Sequence, residues 1–185
     1  YTLSIGPVAI NKEKFDLSEA ENNPLYMPDA EAAKKASDYL ETCMQEQNSA
    51  GGMVECMITG VPAGIGEPAF EKLNANLGKA ILSIGAVKAF EIGDGIAVAQ
   101  SDGLHNNDAY CADEAGHITK KTNHSGGITG GISDGCEILF RAAFKPTPSI
   151  SATQESVTRT GENLDISIKG RHDPIIVPRA VVVVE

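Results

Sequence analysis

An α+β fold follows from three features of this 185-residue sequence. Strand-like runs alternate apolar and polar residues, two stretches carry apolar residues at helical spacing, and 19 glycines with 9 prolines punctuate them. No period of ~20–50 residues repeats, which excludes a solenoid. Residues 2–10 read as a strand and 12–28 as a polar, turn-rich connection. Asp29 stands as N-cap of a helix with the stripe Ala33, Ala36, Leu40, Cys43 and Met44. Glu31 and Lys35 form an (i, i+4) pair on its wet side, and Gly51-Gly52 is its expected end. Residues 53–59 alternate, with Val54, Cys56 and Ile58 on one face of a strand.

After a turn over residues 60–66, Pro68 suits the first turn of a second helix. Its buried stripe is Phe70, Leu73, Leu77, Ala80, Ile81 and Ile84. Residues 87–92 and 95–99 read as short strands around Gly93-Asp94-Gly95, and 101–124 as a polar loop. Residues 126–133 are glycine-rich. Residues 135–144 are nearly continuously apolar and fit helix or strand. Short strands near 155–159 and 164–168 flank Gly161-Glu162-Asn163.

Composition narrows the function. Hydrophobic residues make up 42% of the chain, enough for a core, which excludes disorder as the main state. No apolar run approaches the ~20 residues of a membrane span. A net charge of −10 argues against a duplex-binding face. The absence of Trp, with 5% aromatics, argues against a stacking platform for single strands, so no nucleic-acid or membrane partner is expected. Cys43, Cys56, Cys111 and Cys136 show no C-x-x-C spacing; they read as inert thiols in a reducing, cytoplasmic compartment, and no metal site is expected. Residues 1–10 lack a basic region and a long apolar region, so no signal peptide is expected. The strand-like start and the closing Ala180–Val184 run read as interrupted core elements, the pattern of a piece of a larger protein.

Three segments carry candidate chemistry. In residues 122–133, the pairs Gly126-Gly127 and Gly130-Gly131 let backbone amides approach a ligand, or simply make a flexible loop; the spacing is neither a Rossmann fingerprint nor a P-loop. In Lys145-Pro146-Thr147-Pro148-Ser149-Ile150, a cation and two hydroxyls on a proline-stiffened backbone suit a phosphate, or form a rigid turn. In Gly170-Arg171-His172-Asp173-Pro174, Arg171 can clamp an oxyanion, and Asp173 can hold a proton or cap a helix begun by Pro174. All four arginines (Arg141, Arg159, Arg171, Arg179) lie in the last 45 residues, placed for an anion or on a solvated basic face.

Taken in order, seven motifs resemble the C-terminal half of the chorismate synthase family. They are Gly51-Gly52-x-Val54-Glu55; Gly60-Val61-Pro62-Ala63-Gly64-x-Gly66-Glu67-Pro68; Ser83-Ile84-x-Ala86-Val87-Lys88; Glu91-Ile92-Gly93-Asp94-Gly95; Asn123-His124-x-Gly126-Gly127-Ile128-x-Gly130-Gly131-Ile132-Ser133; Lys145-Pro146-Thr147-x-Ser149-Ile150; and Gly170-Arg171-His172-Asp173-Pro174 with Pro178-Arg179-Ala180. The resemblance implies a β-α-β sandwich of antiparallel sheets enclosing a helical layer. Residues 1–185 would be the C-terminal portion of a single domain, truncated at both ends. It further implies a lyase of aromatic amino acid biosynthesis, in the shikimate pathway. The reaction is anti-1,4-elimination of phosphate from 5-enolpyruvylshikimate 3-phosphate to give chorismate. Reduced FMN is required without net redox change: an electron is lent as phosphate leaves and recovered as the proton is lost.

The resemblance also implies a homotetramer in the cytoplasm. NADP is associated with the family, and whether the parent reduces its own flavin stays open. By position, Gly85, Ala86, Gly130, Lys145, Pro146, Thr147, Pro148, Ser149 and Arg171 resemble FMN-binding residues. Arg171 and Arg179 resemble substrate-binding residues, and Asp173 resembles the catalytic carboxylate that assists proton transfer near flavin N5. Gly85 stands where Asn or Pro is common, Ile175 where Cys is frequent, and Val182 where Pro is usual. The family's Gly-Glu-Ser-His and Ser-Ala-Arg motifs do not occur in these residues, so this fragment alone is expected to be inactive. A non-catalytic flavin- or phosphate-binding module is the alternative.

Overall fold

The computed structural model describes residues 1–185 apart from Arg171, and the chain divides into two compact units. The first comprises residues 1–54 and 143–183, and the second is residues 55–142 between them. Architecture is α+β with antiparallel pairing, as the sequence predicts.

The first unit opens with β1 (Thr2–Ile5) and β2 (Val8–Ala9), paired antiparallel. The single strand expected over 2–10 is therefore a hairpin, because Gly6 turns the backbone at φ +50°. A short helix α1 (Leu17–Glu21) precedes α2 (Ala30–Gln45). Asp29 caps α2 as expected, its carboxylate accepting the Glu31 and Ala32 amides at 3.0 and 3.1 Å. Ala32, Ala33, Ala36, Leu40 and Cys43 on α2 pack with Ile5, Leu25 and Met27 to form this unit's core. Small alanines on that face let α2 approach closely. Strand β3 (Gly52–Ile58) pairs antiparallel with β1 and continues into the second unit.

The second unit holds α3 (Leu73–Leu82), β4 (Val87–Ile92), a one-turn α4 (Gly103–Asn106), the hairpin β5 (Tyr110–Ala112) and β6 (Ile118–Lys120), the hairpin β7 (Ile128–Thr129) and β8 (Ile132–Ser133), and β9 (Ile138–Phe144). Strand β9 lies between β3 and β4 in the sheet. Residues 135–144, open to either reading in sequence, resolve as a strand whose alternate residues Ile138, Phe140 and Ala142 are buried. Phe140 meets Phe90 at a ring separation of 5.6 Å, and Gly78 brings α3 against the Phe90 ring.

Three expectations are corrected here. Residues 95–100 form a 3₁₀ helix, not a strand; Ile96 and Val98 mimic a strand's period, yet both are exposed. Pro68 precedes a 3₁₀ turn over Ala69–Glu71, and α3 begins only at Leu73, leaving Phe70 95% exposed and outside the buried stripe. The 101–124 segment is not a plain loop, since it carries α4 and the β5–β6 hairpin.

The chain then returns to the first unit with β10 (Gln154–Val157), β11 (Asn163–Ile166) and α5 (Val177–Val184). The β10–β11 hairpin falls within two residues of its expected place at each end.

Candidate functional site

In the first unit, the Lys145–Ser149 loop leaves the end of β9. Lys145 is exposed and has no ion-pair partner among the described residues. Thr147 is tied down by its carbonyl, which accepts from Ser49 Oγ at 2.7 Å. Its own Oγ1 is buried with no hydrogen-bond partner among the described residues, as is that of Thr2. A buried hydroxyl left unsatisfied is costly and points to a polar group that completes it. Pro146 lies against Gly51, where an added Cβ would stand 2.7 Å from the Phe144 carbonyl and 3.1 Å from Pro146 Cδ. That approach explains the glycine. Pro148 contributes its carbonyl to the Ile150 amide at 3.1 Å, and Ser149 is half-buried.

The residues that follow α2 hold two chemistry-bearing loops at once. Helix α2 ends at Gln45 rather than at the glycine pair, because Gln47 takes φ +58°. The Gln47 and Asn48 amides donate back to Met44 and Cys43 at 3.1 and 2.8 Å, a Schellman turn without glycine. Beyond it, Gln47 O accepts the Ala152 amide at 3.2 Å, Ser49 holds Thr147, and the Ala50 amide donates to Pro174 at 2.8 Å. Sequence reasoning missed Ser49, whose bond to Thr147 spans 98 residues and leaves no local signal. Ser49→Ala is expected to lower stability by about 1–3 kcal/mol by stranding the Thr147 carbonyl, measured as the urea midpoint.

Asp173 is half-buried and held by a two-point fork, Arg179 Nη1 and Nη2 lying 2.9 and 3.0 Å from its two oxygens. It caps nothing: α5 starts at Val177 with Ile176 as N-cap, so the capping alternative is set aside. His172 Nε2 donates to the Ile168 carbonyl at 2.8 Å, a structural role. Gly170, His172 and Pro174 line a hollow of about 170 Å³ with Gln47, Asn48 and Ser151. Arg171 lies outside the described residues.

In the second unit, Gly85 and Ala86 form the turn between α3 and β4, with Ala86 at φ +70°. Gly130 and Gly131 are the two-residue loop of the β7–β8 hairpin, both at positive φ as such loops require. They differ in their surroundings. A Cβ at Gly131 would stand 2.4 Å from the Lys72 side chain, whereas one at Gly130 or Gly85 would meet nothing within 4 Å. Gly130 thus presents bare backbone to open space.

Two other glycines serve packing. Gly93 and Gly126 touch backbone to backbone: a Cβ at Gly93 would lie 2.1 Å from His124 O and 2.6 Å from Gly126 N. His124 Nδ1 also reaches Asp94 at 2.6 Å. Arg141, one of the arginines read as available for an anion, is engaged within the protein; its Nε meets Glu55 at 2.5 Å and its Nη1 donates to Gly93 O at 3.0 Å.

Behind the glycine-rich segment sits a buried charge cluster. Lys120 Nζ lies 2.5 Å from Asp134 and 3.8 Å from Asp108, with the three side chains only 4%, 9% and 6% exposed. Asp108 accepts the His124 and Ser125 amides at 2.7 and 3.0 Å and the Thr122 hydroxyl at 2.8 Å. Burial pushes its carboxyl up, but these hydrogen bonds outweigh burial and hold it well below the usual range. Burial likewise opposes the charge on Asp134, yet Lys120, the Cys136 amide and Thr129 keep it low. Lys120 is desolvated too, and the two carboxylates raise it above an ordinary lysine.

For a flavin phosphate the first unit's residues fit: among the described residues, Lys145 has no ion-pair partner and the buried Thr147 hydroxyl no hydrogen-bond partner. Within the second unit, Gly130 and Gly85 leave backbone open to a ligand. Among the described residues, no group of three His, Cys, Asp or Glu could hold a metal ion, and no helix is long and apolar enough to cross a membrane.

Comparison with known proteins agrees in sequence and in structure. The family model described as chorismate synthase matches residues 1–185. A chorismate synthase of Agathobacter rectalis is 63% identical over the whole chain and 50% of its own length, and that of Lachnoclostridium phytofermentans is 62% identical over the same shares. A crystal structure of a chorismate synthase superposes with a TM-score of 0.74 at 28% identity, covering 80% of this chain and 48% of that one. The chain spans about half the length of the curated relatives it matches.

Proposed function

The chain belongs to the chorismate synthase family, and on that premise we propose that it supplies part of the site of a flavin-dependent lyase converting 5-enolpyruvylshikimate 3-phosphate to chorismate. The observation that carries this reading is the Lys145–Thr147 loop, which holds an exposed cation without an ion-pair partner and a buried hydroxyl without a hydrogen-bond partner among the described residues. Lys145, Thr147 and Ser149 hold anionic oxygens of FMN, with Pro146 and Pro148 keeping the donors aimed. Gly130, Gly85 and Ala86 let backbone approach the cofactor closely. The chemistry FMN supplies when reduced is the loan and recovery of an electron during loss of phosphate.

Asp173 holds or passes the proton, its carboxylate fixed in orientation by the Arg179 fork. The remaining guanidinium N–H groups of Arg179, which is 74% exposed, are left to bind an anionic substrate; by the family resemblance alone, Arg171 shares that role and FMN binding. Homotetramer assembly, a cytoplasmic setting and NADP as the associated nucleotide belong to the same proposal. Catalysis also requires groups outside these residues, which contain neither Gly-Glu-Ser-His nor Ser-Ala-Arg. Chorismate formation by this chain alone, in a coupled assay, would overturn that part.

Titration with reduced FMN tests the reading. A perturbed flavin spectrum strengthened by 5-enolpyruvylshikimate 3-phosphate supports it. Binding without that coupling supports the non-catalytic module instead, and absence of binding rejects both. Two variants sharpen the test. Lys145→Ala is expected to weaken FMN binding about tenfold or more, from ~1.5–3 kcal/mol for a charged hydrogen bond. Thr147→Val is expected to leave the ligand-free chain as stable or about 1 kcal/mol more stable, because it removes the stranded hydroxyl, while FMN binding weakens.

A further inference from the structure

Lys120 lies on β6, outside every motif that carries the family resemblance, yet its ammonium is among the most buried charges in the chain. It reaches both legs of the β7–β8 hairpin. Thr129, which immediately precedes Gly130, has its Oγ1 3.5 Å away; Asp134, which follows β8, lies at 2.5 Å. Thr129 Oγ1 donates in turn to Asp134 Oδ2 at 3.0 Å, closing the base of the turn. Ser125 Oγ at 3.3 Å and the face of the Tyr110 ring at 5.6 Å complete the surroundings of the ammonium.

A two-residue hairpin loop with two glycines at positive φ has little conformational preference of its own. A Cβ added at Gly130 would meet nothing within 4 Å, while the neighbouring Gly131 carbonyl accepts the Leu73 amide at 2.7 Å. The orientation of Gly130 is therefore set by that bond on one side and, from beneath, by the groups that fix the two legs.

We propose that the Lys120–Asp134–Thr129 clasp is a positioning device for flavin binding: it locks the β7–β8 hairpin so that the Gly130 backbone keeps its open face toward the cofactor. This rests on the reading of Gly130 as a flavin contact. The clasp touches no reacting atom and acts through the loop. Loosening it raises the ordering that a ligand must impose on binding.

Two measurements on the full chain separate the clasp from the flavin reading: amide hydrogen exchange over residues 128–134, and FMN affinity from flavin fluorescence. Lys120→Met is examined at a temperature where its far-UV circular dichroism equals the parent's. Thr129→Val leaves the buried ion pair in place and keeps the test decisive if Lys120→Met does not fold. Both variants are expected to exchange faster over 128–134 and to bind FMN on the order of tenfold more weakly. Thr129→Ser, which restores the hydroxyl, is expected to recover both. Unchanged exchange overturns the clasp. Faster exchange with undiminished affinity overturns its role in positioning. A parent chain that binds no FMN rejects the flavin reading and with it the positioning role, and exchange alone then reports whether the clasp orders the loop.

Discussion

Gly93→Ala is expected to be the most damaging single substitution in the second unit, with a loss of more than about 3 kcal/mol. Two penalties combine. Gly93 has φ +56°, which an L side chain adopts only with strain, and the new methyl would stand 2.1 Å from the His124 carbonyl and 2.6 Å from the Gly126 amide nitrogen. Both obstacles are backbone and cannot rotate away. Relief requires pulling the 91–95 and 123–127 segments apart, which breaks the Asp94 amide bond to His124 O. Gly60→Ala is the control. Gly60 has φ +74° but nothing within 4 Å of the added carbon, so it carries the conformational penalty alone, about 1–2 kcal/mol. Urea denaturation of the pair separates strain from collision; equal losses would show that the close approach contributes nothing.

Lys120→Met is expected to destabilise the chain by about 3–5 kcal/mol, because it leaves two desolvated carboxylates without their cation. The substitution keeps the length and apolar stem of the side chain, so the loss reports charge rather than volume. Its signature is a change in pH dependence. In the parent, Asp108 and Asp134 titrate below their ordinary value of about 3.9, so their contribution is complete above that pH and fades as pH falls toward the lower folded values. Lys120 titrates above its ordinary value of about 10.4, so its contribution is complete below that pH and is lost as pH rises through the raised folded value. In the variant Lys120's share of the alkaline loss is absent, so that limb becomes shallower. The acid loss of stability also weakens, since Asp134 keeps its bonds from the Cys136 amide and Thr129 but loses the gain from its cation. Thermal melts across pH check both limbs, and an alkaline limb identical to the parent's would contradict the assignment to Lys120.

Local signals were legible in the sequence, and distant ones were not. Asp29 and the apolar face of α2 lie within one helix, so capping located Asp29 to the residue and periodicity found Ala33, Ala36, Leu40 and Cys43, while it missed buried Ala32 and wrongly included Met44, which is exposed. The glycine motifs were visible, but the reason for Gly93 and Gly126 was not, because each is required by the other from more than thirty residues away. The run at 95–100 shows how an alternating pattern misleads when neither face is buried. Lys120 sits in a stretch so polar that it reads as a loop; only the fold reveals that its charge is enclosed by Asp108 and Asp134. In the candidate site, the motif resemblance picked out Lys145, Thr147 and Gly130 before any geometry was known. It gave no sign of Ser49 or of the Asp173–Arg179 fork, which depend on side chains brought together by packing.

The order of the chain through the two units bears on how the protein is made. Residues 55–142 form one continuous stretch, whereas the other unit draws on 1–54 and 143–183. On the ribosome the later stretch can complete itself as soon as it clears the exit tunnel. The other unit is complete only once 143–183, which brings Ile175 to its core, has been synthesised. Residues 1–54 are thus made before 55–142 but find their last partners after it.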